Sequence, residues 1–456
     1  MTLLCVHGHF YQPPREDPIS GVIPDEPGAE PFRNWNEKIN AECYKPNAEL
    51  ENFRKISFNI GPTLFQWLET NDQETYQKIL EQEREVFRIQ GVSNALAQPY
   101  NHVILPLASS YDKSIQIHWG KIDYIHHFCH TPEGIWLPET AVDTETLEIC
   151  ADEGIKFTIL APWQMEGRSQ GETYFSVKLS EERNPFTVFF YDQLISTSVS
   201  FNPQETVNGD IFLEKLKIED GNPRIIASDG ELYGHHQPFR EKFLAYILGD
   251  GAEKRQVEIV FPSLLIKNSN KLKIVKIRDN TSWSCFHGVE RWKNECTCTP
   301  GANWKKPLRV AINQLGDELN KVYINFSDNK RIDYLRLTKD YIHVILKEED
   351  VQDLLNRFNL DGLSTKGKGS LELLLKAQLE RQKMFSSCGW FFDEFHRIEP
   401  LNNIAYCAKA VWLTQKASGV DLTEQALDLL SVVKSNKTGL RGDTVFSQTM
   451  LRLNQK

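Results

Sequence analysis

Ile225-Ile226-Ala227-Ser228-Asp229-Gly230-Glu231-Leu232-Tyr233-Gly234-His235-His236 is an apolar run that stops at a carboxylate, followed by a glycine, a second carboxylate and paired histidines. The run reads as a buried strand, and what makes it informative is that the same punctuation recurs through the first 265 residues. Strand candidates lie at Leu3 to His7, Ile56 to Ile60, Gly134 to Pro138, Phe157 to Leu160, Thr187 to Tyr191 and Arg224 to Ser228. Charged, helix-like stretches such as Gln73 to Arg88 and Thr144 to Glu153 separate them. Alternation of this kind predicts β/α units around a parallel sheet. His7 and His9, Asn59, Glu139, Asp192 and Asp229 each fall at or just past a strand's C-terminal end, where β/α barrels build their active sites. Strand ends are also polar in any α/β protein, because loops meet water there.

Two carboxylates stand out. In Gly134-Ile135-Trp136-Leu137-Pro138-Glu139-Thr140-Ala141, Pro138 cannot extend a ladder, so the chain turns and presents Glu139 at the strand mouth. A Glu held there can attack an anomeric carbon; equally, it can sit at a helix N-terminus, where the dipole favours it. Asp229 can donate a proton to a glycosidic oxygen if burial or a neighbouring carboxylate raises its pKa. Its alternative is to cap the next helix. His7 and His9, two residues apart on a strand, share a face that suits metal ligation or contacts to sugar hydroxyls.

After about residue 265 the texture changes. A Trp- and Cys-containing stretch, Trp283 to Trp304, precedes amphipathic runs at Pro307 to Phe326, Glu349 to Phe358, Leu371 to Met384, Asn403 to Ser418 and Thr423 to Lys434. The expectation is a barrel-type domain over 1–265, then a connecting region and helical domain over 266–456, with Asp361 to Ser370 as a loop. Cys285, His287, Cys296 and Cys298 place four possible zinc ligands within fourteen positions. Their spacing is not that of a standard finger, and reduced cysteines are commonly inert, so no metal or other cofactor is assigned.

Composition limits the rest. The 456 residues suggest about three domain-sized units or one large barrel with an appendage. A formal charge of −10, from 52 basic and 62 acidic side chains without a basic cluster, argues against nucleic acid as a partner. No apolar stretch is long enough to span a bilayer, and the first residues read as a strand rather than a signal peptide. With nine irregularly spaced cysteines, a cytoplasmic location is expected.

Four segments together resemble a known family. His7-Gly8-His9-Phe10-Tyr11-Gln12-Pro13-Pro14, Gly91 to Leu107, Trp136 to Glu139 and Asp229 to His235 are similar, in this order, to the first four sequence regions of glycoside hydrolase family 57. Its members act on α-glucans as amylases, 4-α-glucanotransferases and branching enzymes. Asn34 to Asn47, Ser282 to Cys298 and Ser386 to Glu394 resemble an uncharacterised branch of that family. The resemblance implies an incomplete (β/α)7 barrel followed by a helical domain. It also implies a retaining mechanism with Glu139 as nucleophile and Asp229 as acid/base. His7, His9, Gln12, Asn94, His102, Trp136, Glu231, Tyr233, His235 and Trp283 would contact an oligosaccharide or polysaccharide. Two departures stand: amylase-like members carry Glu where this chain has Asn94, and a Ser-Ser-Asp-Trp-like motif is replaced by Ser386-Ser387-Cys388-Gly389-Trp390. Alternatives of other classes are a metal-dependent carbohydrate hydrolase or deacetylase using His7, His9 and Asp229, and a noncatalytic glucan-binding protein.

Overall fold

The computed structural model describes residues 2–167, 171–180, 183, 185–216, 221–267 and 272–455. The chain divides into two compact units. The first comprises Met1–Gln12, Asp25–Tyr100 and Tyr124–Ser284; the second comprises Pro13–Pro24, Asn101–Asp123 and Cys285–Lys456. The main division therefore falls at Ser284 rather than at 265, and two short N-terminal segments join the helical unit.

In the first unit, β1 (Thr2–Phe10) is flanked by β2 (Ser57–Ile60) and β6 (Pro223–Asp229), both parallel to it. From β2 the parallel pairing continues through single bridges, Phe58 to Ala95, Ala97 to Ile135 and Gly134 to Phe157. It then enters β3 (Phe157–Leu160) and β5 (Phe186–Phe190). One hydrogen bond, Asp192 N to Ile225 O at 2.7 Å, links the end of β5 back to β6. Seven parallel staves thus close a ring, two of them too short to form regular strands. This is the incomplete (β/α)7 barrel. Gly134 is required where its stave crosses β3: a Cβ there would lie 2.3 Å from the Phe157 ring. β4 (Tyr174–Val177), antiparallel to β5, and β8 (Ile274–Val275) extend the sheet outward, while β7 (Val257–Ile259) pairs with the start of β1.

The barrel interior grades from apolar to polar. Cys5, Leu96, Trp136, Ile159, Phe189 and Ile225, from six different staves, pack into one buried cluster. Along β1 the residues two apart from Leu3 to Cys5, His7 and His9 share a face, so the apolar half of the strand supports the imidazole half at its C-terminal end.

The second unit is helical: Lys305–Asp328, Tyr334–Asp340, Val351–Arg357, Thr365–Lys383, Ile398–Ser418, Thr423–Ser431 and Gly442–Asn454. Segment Asp361 to Ser370 is not wholly a loop. Ser364 caps Thr365–Lys383 by accepting from Gly367 N, so the glycines fall in the first turns of a helix that buries its later residues. Asp112 joins this unit through a buried bidentate pair with Arg381, at 2.6 and 3.0 Å, which also receives Gln382 Nε2. Removing one partner of such a pair costs about 3–5 kcal/mol.

Candidate active site

Glu139 sits on a backbone held against its own preference. Its φ is 58°, and Thr140 follows at 48°. A β-branched residue in the left-handed region is a genuine outlier, and each such residue costs about 1–3 kcal/mol. The neighbour that holds the turn is Gln164, fully buried, which receives the Thr140 hydroxyl at 2.9 Å and donates to Thr140 O at 2.8 Å. Gln164 is anchored in turn by accepting from Ala161 N at 2.8 Å. The turn aims the Glu139 carboxylate at two donors: Trp283 Nε1 at 3.0 Å and Ser284 Oγ at 2.6 Å, both to Oε2. Hydrogen bonds to an ionised acceptor are the stronger kind. A helix-terminal role for Glu139 does not hold, because the helix Thr144–Asp152 begins later and is capped by Asp143.

Asp229 ends β6, with its Cα in register with His9. Its side chain makes no cap hydrogen bond to the turn that follows, so the helix-cap alternative fails as well. The residue is open to solvent, yet enough protein surrounds it that lost solvation, together with the charge of Glu139, raises its pKa to about 7. Mutual repulsion of this kind means that the two carboxyl groups share one electrostatic environment. Glu231 is buried beside them and pushed up to about 8, by burial first and by Asp229 second. Its Oε1 accepts from Tyr44 OH at 2.7 Å and Tyr11 N at 3.1 Å, and Gln12 Nε2 donates to Tyr44 OH at 3.0 Å. Tyr44 comes from a π-helical turn, Asn40–Tyr44, that sets three successive side chains against the Asp229 loop. Glu42 Oε2 lies 2.6 Å from His235 Nδ1, and Cys43 Sγ donates to Gly230 O. Gly234 makes this approach possible, since a Cβ there would lie 2.2 Å from Glu42 O.

His7 and His9 are buried, and burial lowers their pKa values to about 3 and about 4, so both are neutral imidazoles at physiological pH. Both stack on Trp136, with centroids 4.6 and 5.3 Å away, and Trp283 meets Trp136 edge-on at 5.1 Å. His9 Nδ1 lies within hydrogen-bonding distance of the Asn59 amide, whose Nδ2 donates to Gln98 Oε1 at 2.6 Å.

Several expected contacts belong to the scaffold instead. Trp136 is fully buried and forms the floor beneath the histidines rather than a platform for sugar. Asn94 is buried and donates to Phe53 O and Ile56 O, which fixes the approach to β2 and leaves no substrate-facing donor. Tyr233 is buried, with its hydroxyl against Ser228 and its carbonyl taken by Asn47. His102 lies in the second unit, where Nδ1 is 2.6 Å from Ser387 Oγ. Asp192 caps the helix Gln193–Phe201. Among the described residues, His7, His9 and Asp229 do not form a metal-holding group. His7 Nδ1 is spent on Ser57 Oγ at 2.9 Å. Ser284, Tyr44 and Gln164 went unnoticed in the sequence, because a single Ser, Tyr or Gln outside a strand end carries no spacing signal.

Comparison with known proteins bears on this arrangement. By fold, the chain is similar to an exo-type maltose-forming amylase from Pyrococcus sp. ST04, with a TM-score of 0.74 at 16% identity over 98% of this chain and 88% of the other. It is also similar to a branching enzyme from Pyrococcus horikoshii, with a TM-score of 0.64 at 14% identity over 99% and 94%. An α-amylase from Thermotoga maritima gives 0.59 at 15% identity over 99% and 98%. No curated protein matches the sequence. A domain of unknown function, DUF3536, matches residues 302–453 of the helical unit. The family described as glycosyl hydrolase family 57 matches residues 14–278, more than half of the chain, and the protein belongs to that family.

Proposed function

We propose that the protein is a retaining glycoside hydrolase or transglycosylase acting on α-glucans or related oligosaccharides, with Glu139 as nucleophile and Asp229 as acid/base. The observation that carries this is the split between the two carboxyl groups. Glu139 accepts two hydrogen bonds suited to its ionised form, while Asp229 has its pKa raised to about 7 by lost solvation and by Glu139 itself. In the first step Glu139 attacks the anomeric carbon as Asp229 gives its proton to the leaving oxygen. In the second, Asp229 takes a proton from water or from an acceptor sugar hydroxyl, which attacks the anomeric carbon and releases Glu139. His9, Gln12, Glu231, His235 and Trp283 are assigned to substrate contact, from β1 and the residues just after it, the Asp229 loop and the segment that ends at Ser284. The choice of α-glucan rests on the amylases and branching enzyme whose fold the chain shares. A cytoplasmic location fits the cysteine pattern, and no helix among the described residues is long and apolar enough to cross a membrane.

Incubation with maltooligosaccharides, glycogen and unrelated oligosaccharides, with the anomeric form of fresh product followed by NMR, tests this. Retention of configuration and products only from α-glucans are expected. Inversion would exclude the nucleophile role of Glu139, and binding without turnover would make the chain a noncatalytic glucan binder.

A further inference from the structure

We propose that Cys285, His287, Cys296 and Cys298 hold a structural zinc ion at the start of the main part of the helical unit. Their ligand atoms all lie within 4.8 Å of one another. A tetrahedron with Zn–S of about 2.3 Å and Zn–N of about 2.0–2.1 Å has S···S edges of about 3.8 Å and S···N edges of about 3.6 Å. Cys285 Sγ and Cys296 Sγ are 4.0 Å apart, and Cys298 Sγ is 3.6 Å from His287 Nδ1. The two sulfurs are too far apart for a disulfide, and all four groups converge from two short arms, Cys-x-His and Cys-x-Cys. A tight turn follows the first ligand of each arm, with Gly288 N donating to Cys285 O and Thr299 N to Cys296 O.

Backbone N–H groups of His287 and Arg291 point at the Cys285 sulfur, and that of Cys298 at the Cys296 sulfur. His287 Nε2 is 3.2 Å from Thr297 Oγ1, a partner that leaves Nδ1 facing the sulfurs. Lys305 is a second, independent sign. It is fully buried, and its ammonium donates to two neutral acceptors, Thr299 Oγ1 at 3.0 Å and Arg291 O at 3.1 Å. A buried charge needs a counter-charge. Burial first, and then Arg291, push the Lys305 ammonium down to about 8, against the charges of Cys296, Asp393 and Cys285. Three thiolates and one Zn²⁺ would carry a net charge of −1, a counter-charge for the buried ammonium. Sulfur-rich tetrahedral ligation selects zinc over calcium or magnesium, and four protein ligands leave no open position for chemistry. Binding releases the thiol protons still present, so zinc uptake should weaken as pH falls.

The test is elemental analysis of protein purified under reducing conditions without chelator, after growth with zinc. About one zinc per chain is expected, and a C296S/C298S variant should hold less than about a tenth of that. Thr297→Val keeps every ligand and should weaken zinc binding about tenfold or more. Cobalt added to the metal-stripped wild type should give the intense visible bands of a tetrahedral thiolate centre, which decides the matter if the double variant does not fold. Wild-type protein without zinc and without those cobalt bands would overturn the proposal. So would a Cys285–Cys296 disulfide, or iron in place of zinc.

Discussion

The turn after Pro138 and the turn after β6 each carry a carboxylate past the end of a barrel stave, yet they treat it in opposite ways. The first is strained, clamped by Gln164 and fitted with two donors to Glu139. In the second, Asp229 starts its turn at φ −59° and makes no cap hydrogen bond. Its environment supplies repulsion and lost solvation instead of donors. On the proposed mechanism, this difference is how one fold would obtain a nucleophile and an acid from two similar side chains. Donors favour an ionised group, while crowding by a like charge favours a neutral one.

The comparison breaks most visibly at Glu139. Glu139→Gln keeps the shape and loses the nucleophile, so turnover should fall by about 10⁴-fold or more while sugar binding survives. The same substitution removes the charge that raises Asp229. The pKa of Asp229 should therefore fall below about 7, which carboxyl-resolved NMR titration can follow. An unchanged Asp229 titration would show that the two groups do not share a site.

Asp229→Asn comes next. On natural glucans its loss should be on the order of 10²–10⁴-fold. A substrate with a good leaving group needs no proton in the first step, so the glycosyl-enzyme should accumulate and azide should restore turnover. In the wild type, the proton-donating step should decline as pH rises through about 7, because Asp229 then loses the proton it must give. An alkaline limb that stays in Asp229→Asn would assign that titration to another group.

Ser284→Ala removes one charge-assisted hydrogen bond from Glu139, worth about 1.5–3 kcal/mol, or roughly 10–100-fold. The loss should appear in kcat, with KM little changed, if Ser284 orients the nucleophile rather than the sugar. Trp283→Phe keeps the ring against Trp136 and deletes the other donor, so it should act in the same direction. A rise in KM alone for both would place them on the substrate instead.

Much of the barrel was legible because its long staves announce themselves. β1, β3, β5 and β6 are apolar runs with polar ends, and the two carboxylates stand where such runs stop. The stave at Gly134–Ile135 was read from the run that ends at Pro138, whereas the one at Ala95–Ala97 was not, since it pairs through single bridges that leave almost no pattern. The sharing of Asn101–Asp123 with the helical unit was invisible for another reason. It depends on Asp112 meeting Arg381, 269 positions away, and no local periodicity encodes a partner at that distance. Tyr44 was missed because it lies on a π-helical turn away from any strand end, where no spacing marks a single Tyr. Asn94 and Tyr233 were assigned to substrate through the resemblance, and a matching position does not tell whether the side chain meets sugar or, as here, backbone and scaffold.

Glu231 offers the finest cut. It stands two residues after Asp229, shares its crowding, and yet has donors, from Tyr44 and Tyr11, as Glu139 does. Burial wins here, for its pKa stands at about 8 against an ordinary 4.5. The folded protein therefore holds a proton on Glu231 that the unfolded chain gives up from about pH 4.5 onward. Stability from this group is fully present below that pH and is lost progressively as pH rises toward about 8, after which the loss is complete. Glu231→Gln keeps an oxygen to accept from Tyr44 and Tyr11 but cannot ionise. Its Tm should therefore fall less than that of the wild type between pH 5 and pH 9, by a margin on the order of 2 °C. Other carboxyl groups act alike in both proteins and drop out of the difference. Parallel Tm curves across that range would mean that Glu231 is ionised at neutral pH, and that its two donors, like those of Glu139, outweigh its burial.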